Sequence, residues 1–351
     1  MFDLVLVGHG NVARRFVALL AERADELKRE FDVSPRVIGI ATRRDGPRYL
    51  LAEFGRTRAT SALGFIREAC RRDRRAARDG TLVIVETTTL DVERGQPAFD
   101  HVRAALAGGA HVVTANKGPV AFGYRRLARA ADRAGRRFLF ESAVMDGVPI
   151  FNLVRETLPA VSVTGFRGIV NSTTNYILTA MEQGQPFDGA LADMQARGIA
   201  EADASLDVDG WDAAAKTAAL ANVLMDGRIT PHDVLREGIA PATGHSAVAA
   251  RASGRRLKLV VRAERQGNRV TARVAPEALP EDDLLARVEG QQNALLLQTD
   301  LLDEIAIVQR GGSLTHTAYG LLSDLITIAR ERQPGPPPAH RRRSPSRRDR
   351  R

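Results

Sequence analysis

Cysteine is almost absent from the 351-residue sequence, and long apolar runs are absent altogether. The single cysteine, Cys70, excludes an internal disulfide framework, and it lies in REACRRDRR without a partner thiol or a catalytic motif. No run of about eighteen apolar residues occurs, so the sequence lacks the signature of a transmembrane helix. The first residues, FDLVLVGHG, are too polar for a signal peptide. These features predict a cytoplasmic protein with no membrane partner.

Metal-ligand spacing is missing as well. The seven histidines form neither a pair nor a Cys–His cluster at the spacing of a zinc site, which favours metal-independent chemistry. The formal net charge is +9, and the C-terminal stretch RRRSPSRRDRR carries much of it. With PGPPPAH before it, this composition predicts a disordered basic tail at 333–351. The composition of this tail fits either a solvated extension or a nucleic-acid-binding arm. No other motif supports nucleic-acid binding, so no such partner is expected.

Apolar strands alternate with helices in the first part of the chain. The predicted strands are DLVLVG at 3–8, RVIGIAT at 36–42, TLVIVETTT at 81–89, HVVTANK at 111–117 and RFLFESAV at 137–144. This alternation predicts an α/β fold whose first domain, 1–142, is a Rossmann-type parallel sheet with helices on both faces. A helix is also predicted at about 124–134. Residues 143–311 then read as an α+β region with antiparallel strands. In it, GFRGIVNSTTNYILTAMEQG predicts a strand and a helix, RLKLVVRAERQGNRVTARV predicts two strands joined by a turn, and NALLLQTDLLDEIAIVQRG predicts one further strand. A helix at about 312–332 is expected to pack back onto the first domain.

A glycine-rich turn follows the first strand. Gly8, Gly10 and Ala13 form G-x-G-x-x-A in the segment GHGNVA, which opens an amphipathic helix. The first glycine permits a tight turn, and the second lets the backbone approach a pyrophosphate at the helix N-terminus. The segment therefore predicts a dinucleotide site that includes Asn11 and Val12, although a purely structural glycine turn would look the same.

The end of the second strand indicates which coenzyme binds. An acidic residue there would bind the ribose 2′-hydroxyl of NAD, but the strand ends in Thr42, Arg43 and Arg44. Two arginines suit the 2′-phosphate of NADP, because a guanidinium forms charge-assisted hydrogen bonds with phosphate. NADP is therefore preferred over NAD, unless these arginines simply face solvent.

Two further segments follow predicted strands. TANKGP places Lys117 at the carboxyl end of a parallel strand, where such sheets bind ligands, although a surface lysine would also fit. ESAVMDGVPIF supplies Glu141 and a turn of carbonyl groups. The segment fits a turn that binds a monovalent cation, and it fits an ordinary domain-linking loop equally well.

The segment EADASLDVDGWDAAAK crowds five carboxylates into sixteen residues: Glu201, Asp203, Asp207, Asp209 and Asp212. It lacks the spacing of a calcium-binding loop. If a helix begins near Trp211, Asp212 and Lys216 share one face at i and i+4. They form either a surface ion pair or a pocket in which carboxylates bind a substrate ammonium and the lysine handles a proton.

Taken in order, these segments resemble homoserine dehydrogenase over residues 3–330. The resemblance rests on GHGNVA, TTT at 87–89, TANKGP, ESAVMDGVPIF, GFRGIVNSTTNYIL and GIAEADASLDVDGWDAAAK. It implies NAD(P)H-dependent reduction of L-aspartate 4-semialdehyde to L-homoserine in amino-acid biosynthesis. It also implies a homodimer formed through the second domain, 143–311. The chain is too short for a fused aspartokinase and shows no separate regulatory domain, so no threonine control through such a domain is expected.

The resemblance also implies roles for individual residues. Lys216 is the expected proton donor, and Lys117 assists it at both nicotinamide and substrate. The expected substrate-binding residues are Glu201, Asp207 and Asp212. The expected coenzyme contacts besides the glycine turn and the arginines are Thr87, Thr88, Lys117, Gly198 and Gly312. The expected sodium site comprises Glu141 and the carbonyl groups of Val144, Asp146 and Val148.

Two rival functions remain open at this stage. Another Rossmann oxidoreductase on an amino-acid substrate, such as an aspartate dehydrogenase, would share the glycine turn but has no need of the segment 201–216. A nucleotide-sensing binding protein would be expected to lack Lys117 and Lys216, and both are present.

Overall fold

The computed structural model describes residues 1–196 and 203–332. Glu201, Gly198 and the tail at 333–351 therefore lie outside the described residues. The described residues contain two six-stranded sheets, one in the first part of the chain and one in the second. Among the described residues, no helix is both long enough and apolar enough to cross a membrane.

The first sheet has the strand order β3-β2-β1-β4-β5-β6. Its strands are β1 Phe2–Val7, β2 Pro35–Thr42, β3 Gly46–Tyr49, β4 Leu82–Glu86, β5 His111–Thr114 and β6 Phe138–Leu139. Neighbours pair in parallel except β3, which runs antiparallel to β2 at the edge. Every residue of β1 and β4 is buried, which explains their continuous apolar sequences.

Helices cover both faces of this sheet. They are α1 Asn11–Glu22, α2 Ala24–Phe31, α3 Ala62–Arg72, α4 Arg74–Asp79, α5 Ala98–Ala107 and α6 Gly118–Ala134. Successive residues of β1 point to opposite faces. Val5 packs in the cluster that includes Phe65 of α3, whereas Leu4 packs with Phe16 of α1. The α/β architecture predicted from the sequence is thus confirmed.

The second sheet has the strand order β12-β11-β7-β9-β10-β8. Its strands are β7 Val163–Ile169, β8 Leu235–Arg236, β9 Arg255–Gln266, β10 Arg269–Pro280, β11 Asn293–Thr299 and β12 Glu304–Gln309. The accompanying helices are α7 Ser172–Met181, α8 Phe187–Ala196, α9 Ser205–Val208, α10 Trp211–Leu224 and α11 Thr243–Ala252. Helix α10 is rich in buried alanine and packs against both α6 and this sheet. It therefore lies at the junction of the two halves of the chain.

The last helix, α12 Leu314–Glu331, returns to the first sheet and packs against α1, as predicted. It also packs closely on the turn after β6. Gly147 has φ +79°, and a Cβ there would lie 2.7 Å from the Cα of Gly320. Glycine at both positions therefore permits a backbone contact that a side chain would block.

Two strand predictions were wrong. The apolar stretch RFLFESAV forms only β6, because the Glu141 carboxylate accepts the N–H groups of Ile150, Phe151 and Asn152 and folds the chain into turns. NALLLQTDLLDEIAIVQRG forms the hairpin β11–β12 rather than one strand. Asp303 adopts φ +53° in its loop, and the Thr299 N–H donates to the Asp303 carbonyl.

Other boundaries also differ. Helix α6 begins at Gly118, because Pro119 is compatible with the first turn of a helix. Gly123 has non-helical backbone angles and kinks α6, so the helix predicted at about 124–134 corresponds to the part after the kink. The antiparallel edge strand β3 was not predicted, since its four residues include glycine and proline. The hairpin β9–β10 and helix α7 after β7 are confirmed.

Candidate active site

Three charged side chains meet at the junction between the two halves of the chain. Asp212 Oδ1 lies 3.0 Å from Lys117 Nζ, and Asp212 Oδ2 lies 2.9 Å from Lys216 Nζ. The three side chains are 15–17% exposed, so they are shielded from water without being sealed off. The cluster therefore lies in a pocket. This excludes the simple surface ion pair of Asp212 and Lys216 that the sequence left open.

Each member of the cluster is positioned by the end of a regular element. Lys117 lies between β5 and α6, at the carboxyl edge of the first sheet. Asp212 lies in the first turn of α10, where the helix dipole stabilises a negative charge. Lys216 follows one turn later on the same face, and its Nζ donates a 2.6 Å hydrogen bond to the Val170 carbonyl just after β7.

Asn171 is a member of the site that the sequence analysis did not identify. Its Nδ2 donates to Asp207 Oδ1 at 2.7 Å and to Asp212 Oδ2 at 2.9 Å. Its Oδ1 accepts the Thr174 N–H and so caps α7. Its place directly after a strand in the segment GFRGIVNSTTNYIL was the available signal. Asn171 fixes the predicted substrate carboxylates Asp207 and Asp212 relative to each other.

The cluster is electrostatically asymmetric. Burial alone would raise the pKa of Asp212, but Lys117 and Lys216 outweigh it and hold that pKa well below its usual range. Burial alone would lower the pKa of Lys216, but the adjacent Asp212 outweighs it and raises that pKa. Burial and the charge of Asp212 raise the pKa of Asp207. Lys216 is therefore held as an ammonium group, able to donate a proton.

The glycine turn has the geometry expected of a dinucleotide site. Gly8 has φ +91°, and a Cβ there would lie 2.7 Å from the carbonyl oxygen of Thr87. A Cβ at Gly10, the residue before α1, would meet no atom within 4 Å. Ala13 is fully buried where the third glycine often stands. Asn11 and Val12 begin α1, so their N–H groups are at its positive end.

Four further predicted coenzyme residues follow the ends of β4 and β2. Thr87 Oγ1 donates to the Val7 and Gly8 carbonyl groups at 3.3 and 3.2 Å, which links β4 to the glycine turn. Thr88 follows in the same loop. Arg43 and Arg44 are exposed in the turn that joins β2 to β3.

The turn at the predicted sodium site holds two buried carboxyl groups. The Glu141 N–H donates to Asp324 Oδ2 at 3.0 Å, and burial raises the pKa of both side chains. Asp324 Oδ1 is buried with no hydrogen-bond partner among the described residues. A cation suits such an orphaned acceptor, and carboxylate and carbonyl oxygens are the ligands that hard cations prefer. Val144 and Val148 bound the short turn at 145–147.

Asp146 connects this turn to the C-terminal loop. It has φ +52°, and its carboxylate accepts hydrogen bonds from Thr317 Oγ1 at 3.2 Å and Gln309 Nε2 at 3.3 Å. A side chain at Gly312 would collide with that carboxylate. A cavity of about 640 Å³ extends from Asp146 and Gly311 along α1 and α12. Its described lining excludes both lysines of the charged cluster, so we assign the chemistry to the cluster and not to the cavity.

Two family models match consecutive parts of the chain. Residues 8–141 match the NAD-binding domain of homoserine dehydrogenase, and residues 149–326 match the homoserine dehydrogenase family. The NAD(+)-dependent homoserine dehydrogenase of Pseudomonas canavaninivorans is 34% identical over 93% of this chain and 96% of its own length. The homoserine dehydrogenase of Methanocaldococcus jannaschii is 35% identical over 93% of this chain and 98% of its own length.

Solved structures agree with these matches. The crystal structure of a homoserine dehydrogenase from Thiobacillus denitrificans superposes with a TM-score of 0.77 at 31% identity, covering 94% of this chain and 73% of that one. The sequence similarity, the α/β nucleotide-binding sheet and the second sheet therefore agree along nearly the whole chain. We conclude that this chain belongs to the homoserine dehydrogenase family of NAD(P)-dependent oxidoreductases acting on CH–OH groups.

Proposed function

We propose that the charged cluster of Lys117, Asp212 and Lys216 is where this chain interconverts L-aspartate 4-semialdehyde and L-homoserine. One observation carries the assignment: Asp212 bonds a lysine from each half of the chain, at the carboxyl edge of the nucleotide-binding sheet. Ligands of open α/β sheets bind outside this edge. A hydride acceptor and an amino-acid substrate could therefore meet there.

Lys216 is the proposed proton donor. A nicotinamide coenzyme held at the glycine turn of Gly8 and Gly10 would supply the hydride for reduction of the aldehyde. The Nζ of Lys216 gives a proton to the carbonyl oxygen, which completes the alcohol. Asp212 keeps Lys216 charged before this step, and Lys117 adds a second positive charge that favours the developing alkoxide. In the reverse direction, neutral Lys216 takes the proton from the hydroxyl group.

Asp207 is the proposed contact for the substrate ammonium. Its carboxyl group is buried beside Asp212, and both burial and that neighbouring charge raise its pKa. The positive charge of a substrate ammonium would stabilise the ionised form of Asp207. Asn171 holds the group in place by a 2.7 Å hydrogen bond. Glu201 and Gly198 belong to the same proposal by resemblance, and they lie outside the described residues.

The chain has a nicotinamide-binding domain, and we infer that it prefers NADP. The support is the pair Arg43 and Arg44, exposed beyond β2 with no acidic residue at the strand end. The Pseudomonas canavaninivorans relative is NAD(+)-dependent, so the preference varies within the family or this proposal fails.

A sodium site at Glu141 and the carbonyl groups of Val144, Asp146 and Val148 is also part of the proposal. The orphaned acceptor on Asp324 and the two buried carboxyl groups support a compensating cation in this corner. A bound sodium ion would add a positive charge beside the buried carboxyl groups and so stabilise the turn that packs against α12. The melting temperature in sodium chloride, compared with choline chloride at equal ionic strength, tests it.

We further propose a homodimer formed through the second domain, 143–311, with the nucleotide-binding domain comprising 1–142 and the helix at 312–332. The strand β12 lies at the edge of the second sheet. In the loop between β11 and β12, Leu301 and Leu302 are exposed. Such an edge and apolar tip are suited to pairing with another chain. Sedimentation at several protein concentrations tests the dimer. The expected cytoplasmic location is checked by cell fractionation.

The deciding experiment is coenzyme reduction by purified protein with L-homoserine, run in parallel with NADP and NAD. We expect homoserine-dependent reduction that Lys216→Ala largely abolishes while coenzyme affinity is unchanged. Lys28→Ala is the matched control, because Lys28 forms an i,i+4 pair with Asp32 on the exposed surface. A folded protein that reduces neither coenzyme with homoserine, but does so with aspartate, would support the aspartate dehydrogenase alternative.

A further inference from the structure

Beneath the coenzyme edge lies a carboxylate that the proposed mechanism does not use. Glu86 is the last residue of β4, follows the apolar run LVIV, and is completely buried. An isolated buried carboxylate is strongly unfavourable unless it is hydrogen-bonded. Its partners therefore indicate why an anion is kept at this position.

Both carboxylate oxygens of Glu86 accept hydrogen bonds from loops at the active-site edge. Oε1 accepts the Thr88 N–H at 3.2 Å and the Thr88 hydroxyl group, and Oε2 accepts the Thr114 hydroxyl group at 3.1 Å. The ring of buried His101 lies on another side, with Nδ1 3.5 Å from Oε1. Glu86 thus joins the loop after β4 to the end of β5.

The same hydrogen bonds continue to the backbone on both sides of Lys117. The Asn116 N–H donates to Thr114 Oγ1 at 2.9 Å, and the Gly118 N–H donates to Asn116 Oδ1 at 2.8 Å. Asn116 Nδ2 also donates to the Thr88 carbonyl at 3.0 Å, which closes the network. These hydrogen bonds link the loop after β4, the end of β5 and the backbone around Lys117 into one buried network, and such a network restricts the movement of its members.

We propose that Glu86 is a positioning residue that holds Lys117 and Thr88 in place at the active site. It touches neither the substrate nor the reacting atoms, and it acts through Thr114 and Asn116 on the backbone that carries Lys117. The inference rests on the proposed role of Lys117, whose Nζ lies 3.0 Å from Asp212. Displacing a positioned group by about 1 Å can lower a rate by about 10²-fold.

Glu68 provides a matched control. It is also a buried carboxylate of the first domain, and its Oε2 accepts the Thr57 hydroxyl group and the Arg58 N–H, both at 3.1 Å. Removing either carboxylate deletes hydrogen bonds from a threonine hydroxyl group and a backbone N–H, and removing Glu68 also deletes its ion pair with Arg72 at 2.9 Å. Only the Glu86 bonds lead to Lys117, so only Glu86→Ala should impair turnover beyond its effect on stability.

The test measures kcat, the KM for each substrate and the melting temperature for Glu86→Ala, Thr114→Val, Glu68→Ala and Lys117→Ala, and for the double variant of Glu86 and Lys117. We expect Glu86→Ala and Thr114→Val to lower kcat by about 10- to 100-fold, and Glu68→Ala to leave it unchanged. Glu86→Ala should add little further loss when Lys117 is already alanine, because both act through one group. Thr114→Val also removes the acceptor of the Asn116 N–H, so it tests the network and not the carboxylate alone. Glu86→Gln keeps the side-chain shape but cannot accept from both Thr88 and Thr114, so it decides the matter if Glu86→Ala does not fold.

Two results would overturn the inference, and they are distinguishable. If Lys117→Ala is impaired while Glu86→Ala and Thr114→Val behave like Glu68→Ala, or if the double-variant losses multiply fully, Glu86 does not act through Lys117 and the proposed function stands. If Lys117→Ala itself retains full turnover, the proposed role of Lys117 is wrong, and the inference fails with it.

Discussion

Lys117 and Asp212 belong to different halves of the chain, yet their charged atoms lie 3.0 Å apart. Lys117 extends from the coenzyme edge of the first sheet, and Asp212 begins the helix that packs on the second. Under the proposed function, their contact joins the coenzyme side of the site to the substrate side. Because Asp212 also bonds Lys216, a change at this one carboxylate affects both lysines.

Asp212→Asn should lower the rate more than it lowers coenzyme affinity. Without the carboxylate, burial of Lys216 is no longer opposed by its main partner, so its pKa falls and a smaller fraction of Lys216 carries the proton to be donated. We expect kcat for aldehyde reduction to fall by about 10²–10⁴-fold, the range typical of a lost acid or base. Initial-rate kinetics and coenzyme titration by fluorescence measure the two quantities.

Asp32→Asn is the control for this substitution, because Asp32 pairs with Lys28 at i,i+4 spacing on the exposed surface. It should leave kcat unchanged. An Asp212→Asn enzyme whose turnover matches that of the control would remove Asp212 from the mechanism.

Gly8→Ala should weaken coenzyme binding specifically. The substitution would place a Cβ 2.7 Å from the Thr87 carbonyl oxygen in addition to the strain of a positive φ, which is about 1–2 kcal/mol for a residue other than glycine. Gly135→Ala is the control, since Gly135 has φ +60° with no atom within 4 Å of its Cβ position. Isothermal titration should show weaker coenzyme binding for Gly8→Ala alone. Equal affinities in the two variants would contradict the role assigned to the glycine turn.

Local rules predicted those parts of the site that depend on one element. The pairing of Asp212 with Lys216 follows from helical spacing, and the position of Gly8 follows from a turn between strand and helix. Lys117 and Asp212 are far apart in sequence, and only the family resemblance placed them together. Asn171 and Glu86 were missed because their function depends on partners contributed by other elements.

The misassigned strands have a similar cause. An apolar run shows that a segment is buried but not where it turns, and the turn after β6 is stabilised by the Glu141 carboxylate on distant N–H groups. In the β11–β12 hairpin, Leu301 and Leu302 are apolar and exposed, so the loop resembled a continuous strand. Tertiary contacts, which a single sequence does not display, determined both outcomes.

Substituting Arg43 and Arg44 together by alanine should reduce the preference for NADP. A hydrogen bond to a charged group contributes about 1.5–3 kcal/mol, so the loss of even one such bond should lower the ratio of kcat/KM for NADP to that for NAD by about 10- to 100-fold. Arg133→Ala, at an exposed site on α6, is the control. If the double variant keeps the original ratio, the arginines face solvent and do not bind the 2′-phosphate.

His111 should make the protein less stable in mild acid. Burial, with Arg136 and Arg332 nearby, lowers the pKa of His111 to about 4, against 6.5 for an unperturbed histidine. Between these values the unfolded chain binds more protons than the folded one, so the free energy of unfolding falls as the pH decreases through this window. The contribution of neutral, buried His111 to the free energy of unfolding is fully present above pH 6.5. It should decrease by about 2 kcal/mol between pH 7 and pH 5.

Urea denaturation of wild type and His111→Asn at pH 7 and pH 5 isolates this contribution, because every other titrating group is shared. His111→Asn should be less stable at pH 7, since His111 Nδ1 accepts the Arg137 N–H at 2.9 Å. It should nevertheless lose less stability on acidification than wild type. His245→Asn, at an exposed position, should follow the wild-type pH dependence. If His111→Asn loses as much stability as wild type between the two pH values, the pKa of His111 is not lowered in the folded protein and the prediction fails.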